Sequence, residues 1–329
     1  MAPPAVIRLL THPDMAAHGA HGHPERAERL DAAAAGVADA AHELGVTLER
    51  PALDPASDEA IQRIHPDWYL AVLDEAEARG GGWIDFDTHL APGSMRAARL
   101  AAAATLQAAE AAARGEAAVA FAVVRPPGHH ASEERSAGFC LLNNIAVAVA
   151  GLRAAGLAQR IAIVDWDVHH GDGTQAIFDA DPDLCYASTH QSPFYPGTGS
   201  AAERGSGPAI GTKHNVPLPA GSGDRELTDA WLLQLLPAIE DFSPEAILVS
   251  AGYDAHRSDP LAELWVTEAG YRAVATALGS LAARVGLQGV ALTLEGGYDL
   301  MALRASTAAT VRGLWAGLHD PNGRGGGGD

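Results

Sequence analysis

The sequence predicts a three-layer α/β fold, with a central, mostly parallel sheet between layers of helices. Three observations predict it. Short apolar runs alternate with longer Ala-rich stretches at helical spacing. The short runs lack polar alternation, as strands buried on both faces of a parallel sheet do. Each is also followed by a polar cluster, and open parallel sheets place their ligand crevice at the carboxyl ends of the strands.

The elements follow in order. A helix starts near Pro24 and runs to about Leu44, and another follows "PGS" at 92–94 and continues to about Arg114. Both are rich in alanine, the strongest helix former. "AVAFAVV" (118–124) is short and apolar and reads as a buried strand. A helix over roughly 140–155 separates it from the strands "RIAIVDWD" (160–167) and "LCYASTH" (184–190). A helix over roughly 224–241 precedes the strand "AILVSAG" (246–252). Another over about 267–285 leads to "GVALTLEGG" (289–297), and the last helix covers 299–316. No linker, repeat or shift of composition divides the chain, so 1–320 are expected to form one domain. The Gly-rich 321–329 read as a flexible tail.

Composition narrows the function. The apolar fraction of 47% excludes disorder as the default. A net charge of −19, with Lys213 the only lysine, repels phosphate backbones and argues against nucleic-acid partners. It tolerates cationic small molecules and lysine-rich peptides. Two cysteines, Cys140 and Cys185, cannot build a disulfide framework or a thiolate zinc site and suit a reducing compartment. "MAPPAVIRLLTHP" is too short an apolar run for a signal peptide, and no run approaches the ~20 residues of a membrane span. A cytoplasmic protein is expected. No helix shows a sustained coiled-coil seam, so the sequence leaves oligomeric state open.

The polar clusters carry the chemistry. "RPPGHH", "DWDVHHGDG", "STH", "GYDAH" and "EGGY" each follow a predicted strand. Solvated loops would scatter such clusters over both ends of a sheet. Asp165, Asp167 and His169 alternate along an extended segment and are expected to share a face. Asp254, from another strand end, can complete the set. Two carboxylates and an imidazole suit zinc, or iron(II) or cobalt(II), and three protein ligands leave a position open for catalysis. His170 points the other way and reads as a packing histidine, and His256 could be a ligand but is more often a rim residue. The stiff "PPGHHA" turn presents His129 and His130, either of which can act as base and the other as acid or electrostatic partner. Asp165 and Asp172 are spare carboxylates to fix their tautomers. Tyr298, on a Gly-Gly turn, can donate to an oxyanion. Together these parts describe metal-assisted hydrolysis of a carbonyl compound.

The blocks "VVRPPGHHA", "SAGFCLLNN", "DWDVHHGDGTQ", "PGTG", "SAGYDAH" and "LEGGY" resemble, in order, the zinc-dependent histone deacetylases and their bacterial relatives, the acetylpolyamine amidohydrolases. The likeness runs from "HPERAERL" (23–30) to "EGGY" (295–298), and "DWDVHHG" and "ERSAGFC" lean toward the class II branch. It implies the arginase–deacetylase fold, with about eight strands in the sheet. It further implies zinc on Asp167, His169 and Asp254, His130 as general base and His129 as its electrostatic or acid partner. Asp165 would back His129, and Asp172 would back His130. Class II relatives often carry Asn in place of Asp172, so the carboxylate should make His130 more basic. Gly138 would accept the substrate amide N–H, and Phe139 and Tyr195 would line an acyl-lysine tunnel. Tyr195 departs from the usual Phe. A monovalent cation, usually potassium, is implied near Asp165, Asp167, His169, Ser188 and Thr189. Leu261 stands where acetylpolyamine-specific relatives carry an acidic gate, which favours an acyl-lysine substrate, although Glu263 lies nearby. "WIDFDTHLAPGS" (83–94) is expected to form a rim loop with Asp87 or Thr88 meeting substrate backbone.

The expected function is therefore deacylation of an Nε-acyl-lysine peptide or protein, with a small acylated amine as the alternative substrate. A catalytically silent binding module would lack a ligand, the base or the tyrosine, and all are present. A dimanganese arginase-like site would need further carboxylates where Ala255 and His256 stand.

Overall fold

β1 (Val6–Leu10) leads through a 3-10 turn at Pro13–Ala17 to α1 (Glu28–Leu44) and β2 (Thr47–Glu49). α2 (Asp58–Ile61) and α3 (Asp67–Ala78) precede a small antiparallel hairpin, β3 (Gly82–Trp83) and β4 (His89–Leu90), and then α4 (Ser94–Ala113). Next come β5 (Val119–Ala122), α5 (Asn144–Ala154), β6 (Ile161–Asp165), α6 (Asp172–Ile177), β7 (Leu184–Gln191) and β8 (Lys213–Leu218). α7 (Asp224–Ala230), a π-helical turn (Trp231–Leu235), α8 (Leu236–Phe242), β9 (Ala246–Ala251), α9 (Glu268–Arg284), β10 (Val290–Leu294) and α10 (Leu300–His319) complete the chain. This computed structural model describes residues 3–321, so most of the expected tail, 322–329, lies outside the described residues.

The eight-stranded sheet has the order β2-β1-β5-β10-β9-β6-β7-β8, and every pairing in it is parallel. Its central strands are buried along their whole length, which explains their unbroken apolar runs. α1, α9 and α10 pack together as one helical layer, and α4 and α5 form the other. Small residues let the helices approach closely. A Cβ on Gly36 of α1 would sit 2.2 Å from the Arg304 carbonyl oxygen of α10, and one on Gly317 2.1 Å from that of Thr276 on α9.

The five strands read from the sequence are present, and β1, β2 and β8 add three more at the sheet's flanks. β2 has three residues, and β8 ("KHNVPL") carries polar groups and Pro217. Both are edge strands, which need neither a continuous apolar run nor a full set of N–H donors. In β1, Arg8 bonds the Glu49 side chain at 2.7 Å, a polar residue that masks the strand in sequence. The helix expected over 224–241 contains the π turn. Pro237 has no N–H to give the preceding turn, and the Leu236 N–H instead reaches back five residues to Trp231. No helix among the described residues is long and apolar enough to cross a membrane. Cys140 and Cys185 are buried free thiols.

Candidate active site

The site lies where β5, β6, β9 and β10 end side by side. The backbone fixes each carboxylate there. Asp167 Oδ1 accepts the His169 N–H at 2.8 Å, and its Oδ2 accepts the Gly296 N–H at 2.8 Å. Asp254 Oδ1 accepts the Val168 N–H at 2.9 Å. One atom each from Asp167, His169 and Asp254 then lies within 4.8 Å of the others. His169 Nδ1 is 3.1 Å from Asp167 Oδ1 and 3.2 Å from Asp254 Oδ2. Asp254 Oδ2 is buried yet has no hydrogen bond. Electrostatics point the same way. Burial opposes a charge on His169, but Asp167 and Asp254 hold its pKa up to about 10. Burial, and then the Asp167 charge, push the Asp254 carboxyl up. A pocket with two converging carboxylates, one imidazole and one orphaned oxygen fits a divalent cation. Gly252 and Gly296 leave room for it: a Cβ on either would lie 2.0–2.1 Å from a carboxylate oxygen of Asp167 or Asp254.

Asp165 does not share this face, contrary to the alternation argument. The chain turns sharply after β6, and Asp165 Oδ2 bonds His129 Nδ1 at 3.1 Å and the Tyr186 hydroxyl at 3.0 Å. That matches the supporting position the resemblance implies. His256 is not on the rim either. It is buried, its Nδ1 accepts the Ser258 N–H at 3.1 Å, and its Nε2 lies 3.5 Å from Glu268, so it stands outside the Asp167–His169–Asp254 cluster. His170 is a packing histidine, bonded to Thr198 and Gln175.

The histidine pair sits beside the triad, with ring centroids 4.0 Å apart. His130 Nδ1 bonds Asp172 Oδ1 at 2.8 Å, leaving Nε2 for the cavity. Burial and the neighbouring His129 push the His130 pKa down to about 3, against the pull of Asp172. Burial alone would lower His129 too, but Asp165, Asp167 and Glu295 outweigh it and raise its pKa well above the ordinary range. Two adjacent imidazoles therefore prefer opposite protonation states, the division of labour an acid–base pair needs.

Both histidines, Asp167, His169 and Tyr298 line one cavity of about 280 Å³, together with Asp87, Gly138, Phe139, Tyr195 and Leu261. Phe139 meets Tyr298 edge-on, with centroids 6.0 Å apart, and Tyr195 meets His130 at 5.2 Å, so aromatic rings wall the passage. Gly138 needs its φ of +55°, and a Cβ there would strike the His130 ring. The hairpin β3–β4 forms the expected rim. Asp85 accepts the N–H groups of Asp87 and Thr88, and this turn holds Asp87 at the mouth beside the exposed Phe86. Thr88 is buried and accepts the Phe139 N–H at 3.2 Å, so it supports the rim and does not face the cavity. Burial and Asp85 raise the Asp87 pKa to about 6. Glu263 does not line the cavity, and its N–H is taken by Gln191. Asp165 and Ser188 are register partners on β6 and β7. The Ser188 hydroxyl bonds His190, and that of Thr189 accepts from the Trp231 indole.

Several supporting residues were not singled out from the sequence. Glu295 accepts the N–H groups of Gly128 and His129 at 2.7 and 3.2 Å, and the Ser250 hydroxyl at 3.0 Å, which pins the histidine turn to β10. Arg29 donates to the Gly297 carbonyl at 2.7 Å, and its guanidinium carbon lies 4.9 Å from the Tyr298 ring centre. Glu25 forms ion pairs with both Arg29 and Arg125. Asp259 accepts the Tyr298 N–H at 2.6 Å. Glu25, Arg29 and Glu295 lie inside the quoted blocks "HPERAERL" and "LEGGY", but charged residues at helix starts and strand ends look like surface groups until burial is known.

An all-parallel sheet with a carboxylate–imidazole triad, a histidine pair and a tyrosine around one cavity defines a hydrolase-type centre. The histone deacetylase domain matches residues 23–314, and the chain belongs to that family. It is 40% identical over 317 residues to a probable deacetylase of Methanothermobacter thermautotrophicus, covering 95% of this chain and 92% of that protein. The crystal structure of the HDA15 HD domain superposes with a TM-score of 0.86 at 37% identity, covering 96% of this chain and 92% of that one. An acetylpolyamine aminohydrolase from Burkholderia pseudomallei gives a TM-score of 0.84 at 29% identity, covering 94% and 99%. The fold is thus the arginase–deacetylase fold, and membership supports deacetylase activity.

One substitution tests the proposed cradle without replacing a ligand. Gly296→Ala puts a methyl 2.0 Å from Asp254 Oδ2 and 2.7 Å from Asp167 Oδ2. The variant should fold but retain less than half the metal per chain of the wild type, measured by elemental analysis. Full occupancy would show that the triad does not hold the ion.

Proposed function

We propose that the protein is a zinc-dependent deacylase that removes acyl, chiefly acetyl, groups from Nε-acyl-lysine or a similar secondary amide. The opposed proton affinities of His129 and His130, beside a three-ligand cluster in one cavity, carry this reading. A divalent ion held by Asp167, His169 and Asp254, zinc or else iron(II) or cobalt(II), would polarise the amide carbonyl and acidify water. His130 Nε2 takes a proton from the attacking water while Asp172 steadies Nδ1. The Tyr298 hydroxyl donates to the oxygen that becomes negative. His129, kept cationic by Asp165, stabilises that charge electrostatically. When the carbon–nitrogen bond breaks, His130 returns its proton to the departing amine. Gly138 would accept the amide N–H, Phe139 and Tyr195 would hold the alkyl stem, and Asp87 would meet the substrate outside. The same reading takes 1–320 as one catalytic domain in the cytoplasm. It also places potassium near Asp165, Asp167, His169, Ser188 and Thr189.

The apolar Leu261 at the cavity favours an acyl-lysine stem over a free polyamine cation. Turnover of acetyl-lysine peptide, free acetyl-lysine and acetylputrescine by the zinc-loaded enzyme tests the choice. Peptide should be preferred. Preference for acetylputrescine would keep the chemistry and move the substrate to small amines, as in the aminohydrolase neighbour. No turnover of any amide would overturn the reading.

Tyr298→Phe should lower kcat by about 10²–10³-fold, the usual effect of losing one oxyanion donor, with zinc content unchanged. Wild-type activity in this variant would refute the role. Asp172→Asn removes a carboxylate that favours protonated His130, so the base becomes weaker. Its kcat should fall, and the acid limb of the kcat/KM profile should move to lower pH. A limb that stays in place would exclude the His130–Asp172 pair as the base.

A further inference from the structure

Of the chain's 22 basic residues, Lys213 is the only lysine, and it is completely buried. It opens edge strand β8 and does not line the cavity of the proposed active site. Its Nζ donates to the Leu184 carbonyl at 2.8 Å, the Asp181 carbonyl at 3.2 Å and the Thr212 hydroxyl at 2.7 Å. The Thr212 hydroxyl spends its own proton on the Ala209 carbonyl at 2.9 Å, so a lone pair faces the ammonium. Three N–H donors thus meet three oxygens, and none of the three is a carboxylate. A buried charge is ordinarily paired with an opposite one. A cage of neutral oxygens around a compact cation is instead how proteins replace the hydration shell of a weakly hydrated monovalent ion.

The amino-acid choice supports the same idea. Arginine fills every other basic position in the chain. A planar guanidinium fork cannot offer three diverging donors from one point, whereas an ammonium can. Burial lowers the Lys213 pKa to about 8, which leaves it charged at neutral pH.

The structure assigns to Lys213 the part of a tethered monovalent cation, seated in an oxygen cage that would bind potassium or ammonium if the side chain were removed. The cage spans the turn after α6 and the starts of β7 and β8. The Asp181 N–H closes that turn on the Phe178 carbonyl at 3.0 Å, and Phe178 ends the helix whose first residue is Asp172. The ammonium therefore steadies one end of the helix whose other end supports His130. It also leaves no lysine on the surface for acylation.

Thermal melting in chloride salts of tetramethylammonium, potassium and ammonium, at equal ionic strength, tests this with two variants. Lys213→Ala removes the charge and opens its space, and Lys213→Met fills the space without charge. Both should melt below the wild type in tetramethylammonium. Potassium or ammonium should raise Lys213→Ala by roughly 4–8 °C beyond any shift in the wild type and should leave Lys213→Met behind. The wild-type baseline removes the response of any other cation site. If Lys213→Ala folds only when ammonium or potassium is present during refolding, the same conclusion stands. Equal recovery in both variants, no selective recovery in Lys213→Ala, or no folded Lys213→Ala in any salt would overturn the proposal.

Discussion

Burial of negative charge governs this structure. Six carboxyl groups, Glu25, Asp165, Asp167, Asp254, Asp259 and Glu295, are buried among the described residues, and the five after Glu25 lie close behind the carboxyl ends of β6, β9 and β10. Each needs a compensating partner, since an uncompensated buried charge costs several kcal/mol. Glu25 has Arg29 and Arg125, which hold its pKa down at about 2 against the effect of burial. Asp165 has His129 and Tyr186. Glu295 and Asp259 take backbone N–H groups, yet burial still raises both to about 7. Asp167 and Asp254 share His169, and Asp167 also faces His129, but Asp254 Oδ2 has no hydrogen bond, so the pair still has room for a further cation.

That shortage of positive charge sets the properties of the reacting groups. The field that would favour a divalent ion also raises His129, and a cationic His129 helps to depress its neighbour His130. His130 and His129 are thus distinguished by their positions in one field, although both belong to a single "GHH" turn. Tyr298 obeys the same logic: burial pushes its hydroxyl well above the usual pKa, against the pull of Arg29, so it stays a proton donor.

The central strands and the residues that line the cavity were legible because both leave periodic or clustered signatures. A buried parallel strand is an unbroken apolar run, and the residues at its carboxyl end are polar in a way the strand is not. The misreadings have one physical source, which is that chain direction after a strand end is not encoded in residue spacing. Asp165, Asp167 and His169 alternate, but the turn after β6 sends Asp165 to His129. His256 lies two residues from Asp254 yet faces Glu268. Edge strands β2 and β8, and the buried Glu25–Arg29–Arg125 group, were hidden because polarity alone does not distinguish an exposed charge from a compensated one.

Charge acts on recognition at two ranges. The net charge of −19 surrounds the whole molecule and favours encounter with cationic peptides or amines, but salt screens it beyond about 8 Å. Selection would then occur inside the cavity, whose lining sets Phe86, Phe139, Tyr195 and Leu261 beside the carboxylates of Asp87 and Asp167. For the substrate proposed above, an elongated alkyl stem would be buried against Phe139, Tyr195 and Leu261, whereas a second ammonium carried past Asp87 would lose hydration beside Leu261, which offers no charge in return. Under the proposed function, the acidic surface bears on the rate of encounter, and the aromatic and aliphatic part of the passage on which encounter leads to cleavage.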